Sequence, residues 1–208
     1  MNHGLLRCVS VLLLAGISSC ATPKPRETAP AVPSAEEQQA LMMAMMTAGV
    51  PGPEHEKLMA WAGDWTVKLR MRMAPDAPWE ESAGTSKWSK ALGGRFIVQK
   101  LSSKMNMGGM EMQWDGLELF GFNNVTQEFE AWWFDSMSTT GLYTHGKEVN
   151  GVIELRGLMK DPISPEGRPA LFTLRPVDEN HFFSEGYDTI PPHGLIKVIE
   201  LEFTRVIH

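Results

Sequence analysis

Leu117-Glu-Leu-Phe-Gly-Phe-Asn-Asn-Val-Thr-Gln-Glu-Phe-Glu-Ala-Trp-Trp-Phe-Asp-Ser-Met-Ser-Thr139 holds two aromatic-rich runs on either side of Asn123-Asn124. Both runs are too short and too alternating for helices. Aromatic side chains suit a pleated, half-buried surface, and asparagine tolerates the positive φ of a tight turn, so the pattern predicts a β-hairpin. With a period of two, Phe129, Ala131, Trp133, Asp135 and Met137 fall on one face; Glu128, Glu130, Trp132, Phe134 and Ser136 fall on the other. Large aromatics on both faces predict cover on both.

Similar runs extend to either side of this hairpin. Trp65, Val67, Leu69, Met71 and Met73 alternate with Thr66, Lys68, Arg70 and Arg72, and Ile199, Leu201 and Phe203 alternate with Glu200, Glu202 and Thr204. Between these two rows, strand-like runs are predicted near 80–90, 95–105, 112–122, 127–137, 140–148, 151–159, 169–177 and 181–189. Turn formers sit in the gaps: Gly93-Gly94, Gly108-Gly109, Asn150-Gly151, Pro165-Glu-Gly167, Asp178-Glu-Asn180 and Pro191-Pro192. The reading is an all-β antiparallel meander of about eight to ten strands, closed into a barrel because an open sheet of that size leaves two unpaired edges. The last row closes on the first.

Two short helices precede the barrel. Ser34-Ala-Glu-Glu37 is a capping-box pattern, and the helix formers from Ala40 to Met46 run on until Gly49 and Pro51 stop them. This Met-rich helix and its linker occupy 34–52 and are expected to pack on the barrel or on a partner. The second helix starts at Pro53, carries Leu58, Trp61 and Ala62 on one stripe and ends at Gly63, so the barrel domain is 53–208.

The first nineteen residues read differently. Arg7 is followed by an apolar run from Val9 to Ile17, too short to span a membrane, which predicts a signal peptide over 1–19. Ile17-Ser-Ser-Cys20 resembles the lipobox of bacterial lipoproteins, which implies a lipidated Cys20 as the new N-terminus. Residues 20–33 are then a Pro-, Ala- and Thr-rich tether, too poor in large apolar groups to fold. Since Cys8 leaves with the signal peptide, no thiol remains for a disulfide or metal site. The full chain has 208 residues, 43% hydrophobic, with a net charge of −6 and no basic stripe, which argues against nucleic acid as a partner.

Gly63-Asp64-Trp65 resembles the Gly-x-Trp signature of lipocalins. Together with Leu92-Gly-Gly-Arg95, Gly121-Phe-Asn-Asn124 and Trp133-Phe-Asp-Ser-Met-Ser-Thr139, it makes the chain similar to the DUF1579 family from about Pro53 to Arg205. The resemblance implies a lipocalin-like, calycin-type barrel and carries no catalytic residues to transfer. The extended methionine turn and Pro191-Pro-His-Gly194 depart from the family pattern.

Asp135, Ser136 and His145 invite a hydrolase reading, but neighbours on a strand point to opposite faces and no Gly-x-Ser-x-Gly elbow exists. His145, His181 and His193 lack metal-ligand spacing. Lys104-Met-Asn-Met-Gly-Gly-Met-Glu-Met112 offers the thioethers of Met105, Met107, Met110 and Met112, a soft set that suits Cu(I) or Ag(I); the alternative is apolar contacts over the barrel mouth. The expected function is non-catalytic and needs no cofactor. It is a membrane-anchored lipoprotein of the cell envelope, in the outer membrane of a diderm since Ala21 and not Asp follows Cys20, carrying a small apolar or amphipathic ligand. The candidate ligand wall is Trp65, Trp133, Asp135, Met137, Tyr143, His145 and Tyr187, and the alternative is a scaffold that binds another envelope protein.

Overall fold

Ten strands close on themselves in sequence order in the computed structural model, which describes residues 32–107 and 109–207. The signal peptide, Cys20 and nearly all of the tether lie outside the described residues. The strands are β1 (Gly63–Met71), β2 (Glu80–Ala91), β3 (Phe96–Met107), β4 (Met110–Asn123), β5 (Glu128–Asp135), β6 (Leu142–Val149), β7 (Val152–Met159), β8 (Arg168–Asp178), β9 (His181–Ile190) and β10 (Gly194–Arg205). Every neighbour is antiparallel, and β1 pairs with β10 from Trp65↔Arg205 to Met71↔Ile199. Closure leaves no strand with an unpaired edge.

The turn of the central hairpin differs in detail from the Asn123-Asn124 expectation. The Asn123 carboxamide oxygen accepts from the N–H groups of Val125 and Thr126, and the positive φ falls on Gln127 at 56°. A short polar side chain here folds the backbone through its own hydrogen bonds and hands the left-handed position to a later residue. Cover on the outer face of β5 also takes a different form. Trp132 lies against Phe96 of β3, two strands away, and Tyr143 of neighbouring β6, with centroids 6.4 and 5.2 Å apart, and Phe134 remains exposed. Cross-strand aromatic contacts replace a second layer.

Two helices precede the barrel, α1 (Ala35–Ala48) and α2 (Pro53–Met59). The capping box of α1 forms as its sequence predicts, with Ser34 Oγ accepting from Glu37 N–H and the Glu37 carboxylate accepting from Ser34 N–H. Of its two expected packing partners the barrel is not one, for no residue of α1 is buried. The helix is apolar nearly all round in its second half, so no single stripe selects the barrel as its partner. Its C-terminal end is tied down where the Asn124 amide donates to the carbonyls of Ala48 and Val50.

In contrast, α2 buries Leu58 and His55 and closes one end of the barrel. The chain leaves it through Trp61, whose carbonyl accepts from Trp65 Nε1 at 2.9 Å. Arg205 then locks this end. Its guanidinium lies 4.2 Å from the Trp65 ring centroid and donates to the carbonyls of Ala60, Ala62 and Glu179, so one planar cation joins α2, β1 and the β8–β9 turn. No helix among the described residues is long and apolar enough to cross a membrane.

Candidate binding site inside the barrel

Period two sends one row of each strand inward, and the inward rows change character along the barrel axis. At the α2 end the space is filled by Trp61, Trp65, Trp88, Phe120, Phe129, Phe182 and Phe203, all buried. Phe182 stacks on Phe203 at 4.2 Å and on Trp61 at 5.0 Å, both at 7°, and meets Trp65 edge-on. This is a sealed aromatic floor. Above it Leu69, Leu101, Met105 and Trp114 stay buried, but several inward side chains are only half-buried: Glu118, Trp133, Leu142, Phe172, Ser184 and Ile199. The wall above the floor is therefore partly accessible to water, and this half of the interior, with the sealed floor as its base, is termed the cup.

One row of this wall is chemically distinct. The registers Trp88↔Gln99, Gln99↔Glu118, Glu118↔Trp133 and Trp133↔Leu142 place these five side chains side by side across β2 to β6. Gln99 is satisfied by donating to Ser86 Oγ at 2.9 Å. Glu118 sits between Gln99 and Trp133 with Phe120 below it and makes no hydrogen bond or ion pair to any described residue. Burial alone pushes its carboxyl up to about 7, because the charged form has left bulk water and no neighbouring donor compensates. The Trp88 indole N–H, two strands away, is buried and also lacks a partner.

Trp133 is fixed from two sides. Its Nε1 donates to Asp135 Oδ2 at 2.9 Å, and its ring lies across Gly116, where a Cβ would come within 2.1 Å of the indole. Gly116 is the one place on this wall where only a missing side chain makes room for a tryptophan. At the mouth, Arg168 grips Asp188 with two hydrogen bonds of 2.7 Å and also pairs with Asp161. These carboxylates hold its guanidinium even more firmly charged than usual, and the guanidinium in turn keeps Asp161 below the usual carboxylate range. Of the inward-row cations, Arg205 and Arg168 are each fully engaged, and Lys90, opposite Ile97, is exposed at the floor end of β2.

Of the residues predicted for the ligand wall, the barrel brings together Trp65, Trp133 and Asp135. Trp65 belongs to the sealed floor, while Trp133 and Asp135 line the cup. Four others are corrected. Tyr143 and His145 flank buried Thr144 and therefore point outward, where they stack at 5.6 Å and bond Glu130 and Glu128. Tyr187, between buried Gly186 and Asp188, is likewise on the outside, donating to Glu185 at 2.6 Å. Met137 lies past the end of β5, its N–H donating to Asp135 Oδ1, so it no longer shares the face of Trp133.

The other motifs are also dispersed. Asp135 serves Trp133, Ser136 Oγ accepts from Asp115 N–H, and His145 is on Glu128, so the trio does not assemble. His181 bonds Asp178 beside the floor, and His193 sits in the β9–β10 turn with the cis Pro191-Pro192 bond. Among the described residues no three His, Cys, Asp or Glu side chains converge as metal ligands. Register pairs Met105 with Met112 and Met107 with Met110 at the β3–β4 tip, where Met105 is buried and Met110 is 66% exposed. Sequence reasoning missed Glu118, although the alternation Trp114, Gly116, Glu118, Phe120 would have placed it on the core face.

The fold has a structural relative in Rv2717c from M. tuberculosis. The match covers 76% of this chain and all of that one at 12% identity, with a TM-score of 0.55, and it shows a shared fold. No curated protein matches the sequence. A family model described as "Protein of unknown function (DUF1579)" matches residues 50–205, which span both the aromatic floor and the cup above it, and the chain belongs to that family.

Proposed function

We propose that this protein is a lipid-anchored carrier of the cell envelope that holds a small apolar or amphipathic molecule inside its barrel, acting by sequestration and not by chemistry. The observation that carries the reading is the sealed aromatic floor beneath a wall that water still reaches, with an unpartnered carboxyl set in that wall. A barrel filled only for stability gains nothing from a buried acid without a partner, whereas a binding site places a few polar groups in an apolar pocket to orient its guest. The order of charge, apolar run and lipobox over residues 1–20 supports the anchor.

Native mass spectrometry of protein purified from its own envelope tests this, with release of a copurifying small molecule as the expected result. An apolar fluorophore should bind with a Kd of about 1 μM, and Trp133→Ala should weaken it beyond its effect on stability. A domain that is empty in every preparation and binds no apolar probe overturns the proposal. The scaffold reading has its own support in α1, whose Leu41, Met42, Met45 and Met46 line an exposed apolar trough with Gln38. Deleting 35–48 should abolish crosslinks to any envelope protein while leaving probe binding intact.

A further inference from the structure

The chemistry of the cup wall narrows the class of guest. The inward rows present four acids above the floor: Glu118 midway up, Asp135 and Asp188 toward the mouth, and Glu80, opposite Met71, exposed at the rim. Asp188 is neutralised by Arg168, and Asp135 accepts from the Trp133 indole and the Met137 N–H. Glu118 has neither kind of compensation. The other charged groups of the inward rows lie at the floor end: Arg205 is committed to three carbonyls, Glu148 is paired with Lys57, and Lys90, opposite Ile97, is exposed at the end of β2. Above the floor, among the described residues, the inward cation is Arg168, which Asp188 and Asp161 already hold, so none is left there to meet the head of an anionic guest.

Resting on the carrier reading above, we infer that the guest is an amphipathic amine whose ammonium group sits on Glu118 with its apolar tail toward the mouth, and that the cup rejects carboxylates of the same shape. Charge attraction in a poorly solvated interior is stronger than at the surface, and a lone buried acid is the group that gains most from a cationic partner. Rejection comes from the same atoms, since a carboxylate head would meet Glu118 and Asp135 with no donor to offset the repulsion.

The test uses the barrel with three probes of equal chain length: decylamine, decanol and decanoic acid. Alcohol binding reports the apolar cup by itself. The expected order is amine tighter than alcohol and alcohol tighter than acid, with amine affinity rising about tenfold from pH 6 to pH 8 as Glu118 ionises while the ammonium stays charged. Glu118→Gln should bring the amine down to the affinity of the alcohol and remove the pH dependence. Asp115→Asn, which alters an acid on the outer face of the same strand, should leave the preference in place. Alcohol binding with no preference for the amine, or a preference that survives Glu118→Gln, overturns the amine assignment and leaves the carrier reading standing. Failure of all three probes overturns both.

Discussion

Glu118 should make the barrel less stable as pH rises through the range in which most proteins are content. In the unfolded chain the carboxyl ionises near the model value of 4.5, and in the barrel it does so at about 7. Below pH 4.5 both states hold the proton and the group is neutral in its effect. Between the two values the unfolded state releases its proton while the folded state keeps it, so stability falls, and above pH 7 the loss is complete at about 3 kcal/mol. Asp115, Asp161, Asp178, Glu185 and Glu200 are held below their ordinary range and act in the opposite sense, so the raw pH profile mixes the two. The difference between wild type and Glu118→Gln isolates the one group. Urea unfolding of both proteins should give equal midpoints near pH 4.5, and at pH 8 the variant should be more stable by a midpoint shift of roughly 1–2 M. A difference that does not change with pH would refute the assignment of Glu118 to a poorly solvated, uncompensated position.

The remaining predictions follow from single contacts. Gly116→Ala pushes a Cβ into the Trp133 ring and should cost about 1–3 kcal/mol, seen in denaturant unfolding together with a shifted tryptophan emission. Arg168→Met strands the buried Asp188 carboxylate and should cost about 3 kcal/mol at neutral pH, with partial recovery in the Arg168→Met, Asp188→Leu pair. Arg205→Lys keeps the charge but cannot span three carbonyls while lying flat on Trp65, so its thermal midpoint should fall by several degrees. Cys20→Ala should move the protein from the membrane to the soluble fraction or leave it unprocessed, and intact mass of the wild type should show a lipidated chain starting at Cys20.

Much of the fold was legible because period two is a strong signal wherever one face is apolar. The rows Trp65–Met71 and Ile199–Phe203 are continuous in that sense, and they pair as the closing strands, with Val67 opposite Phe203 and Leu69 opposite Leu201. The signal weakened where both faces carry similar residues. In β6, Leu-Tyr-Thr-His-Gly has no apolar row, and a phase error of one residue exchanges inside for outside; Tyr143 and His145 were lost to that error. Tyr187 follows the same logic beside Gly186, where the missing side chain hides which face is the core. The irregularity between Lys197 and Ile199 shifts the phase once more within β10.

The most consequential residue was hidden for a different reason. A glutamate inside an alternating strand reads by its chemistry as solvent-facing, and on β4 the outward row is itself apolar, with Leu117 and Leu119 beside it. Hydropathy therefore assigns the two faces backwards at this point. The longer alternation from Trp114 to Phe120 and the neighbours across the sheet, Gln99 and Trp133, fix Glu118 on the inner wall, and those neighbours are 19 and 15 residues away in sequence. The fold recovers nothing from placing an acid there: no donor meets it, and its ionisation opposes folding at neutral pH. A local choice that works against stability while every surrounding choice works for it belongs with function, and in this barrel it singles out the one wall position where a bound cation would turn an unfavourable burial into an ion pair.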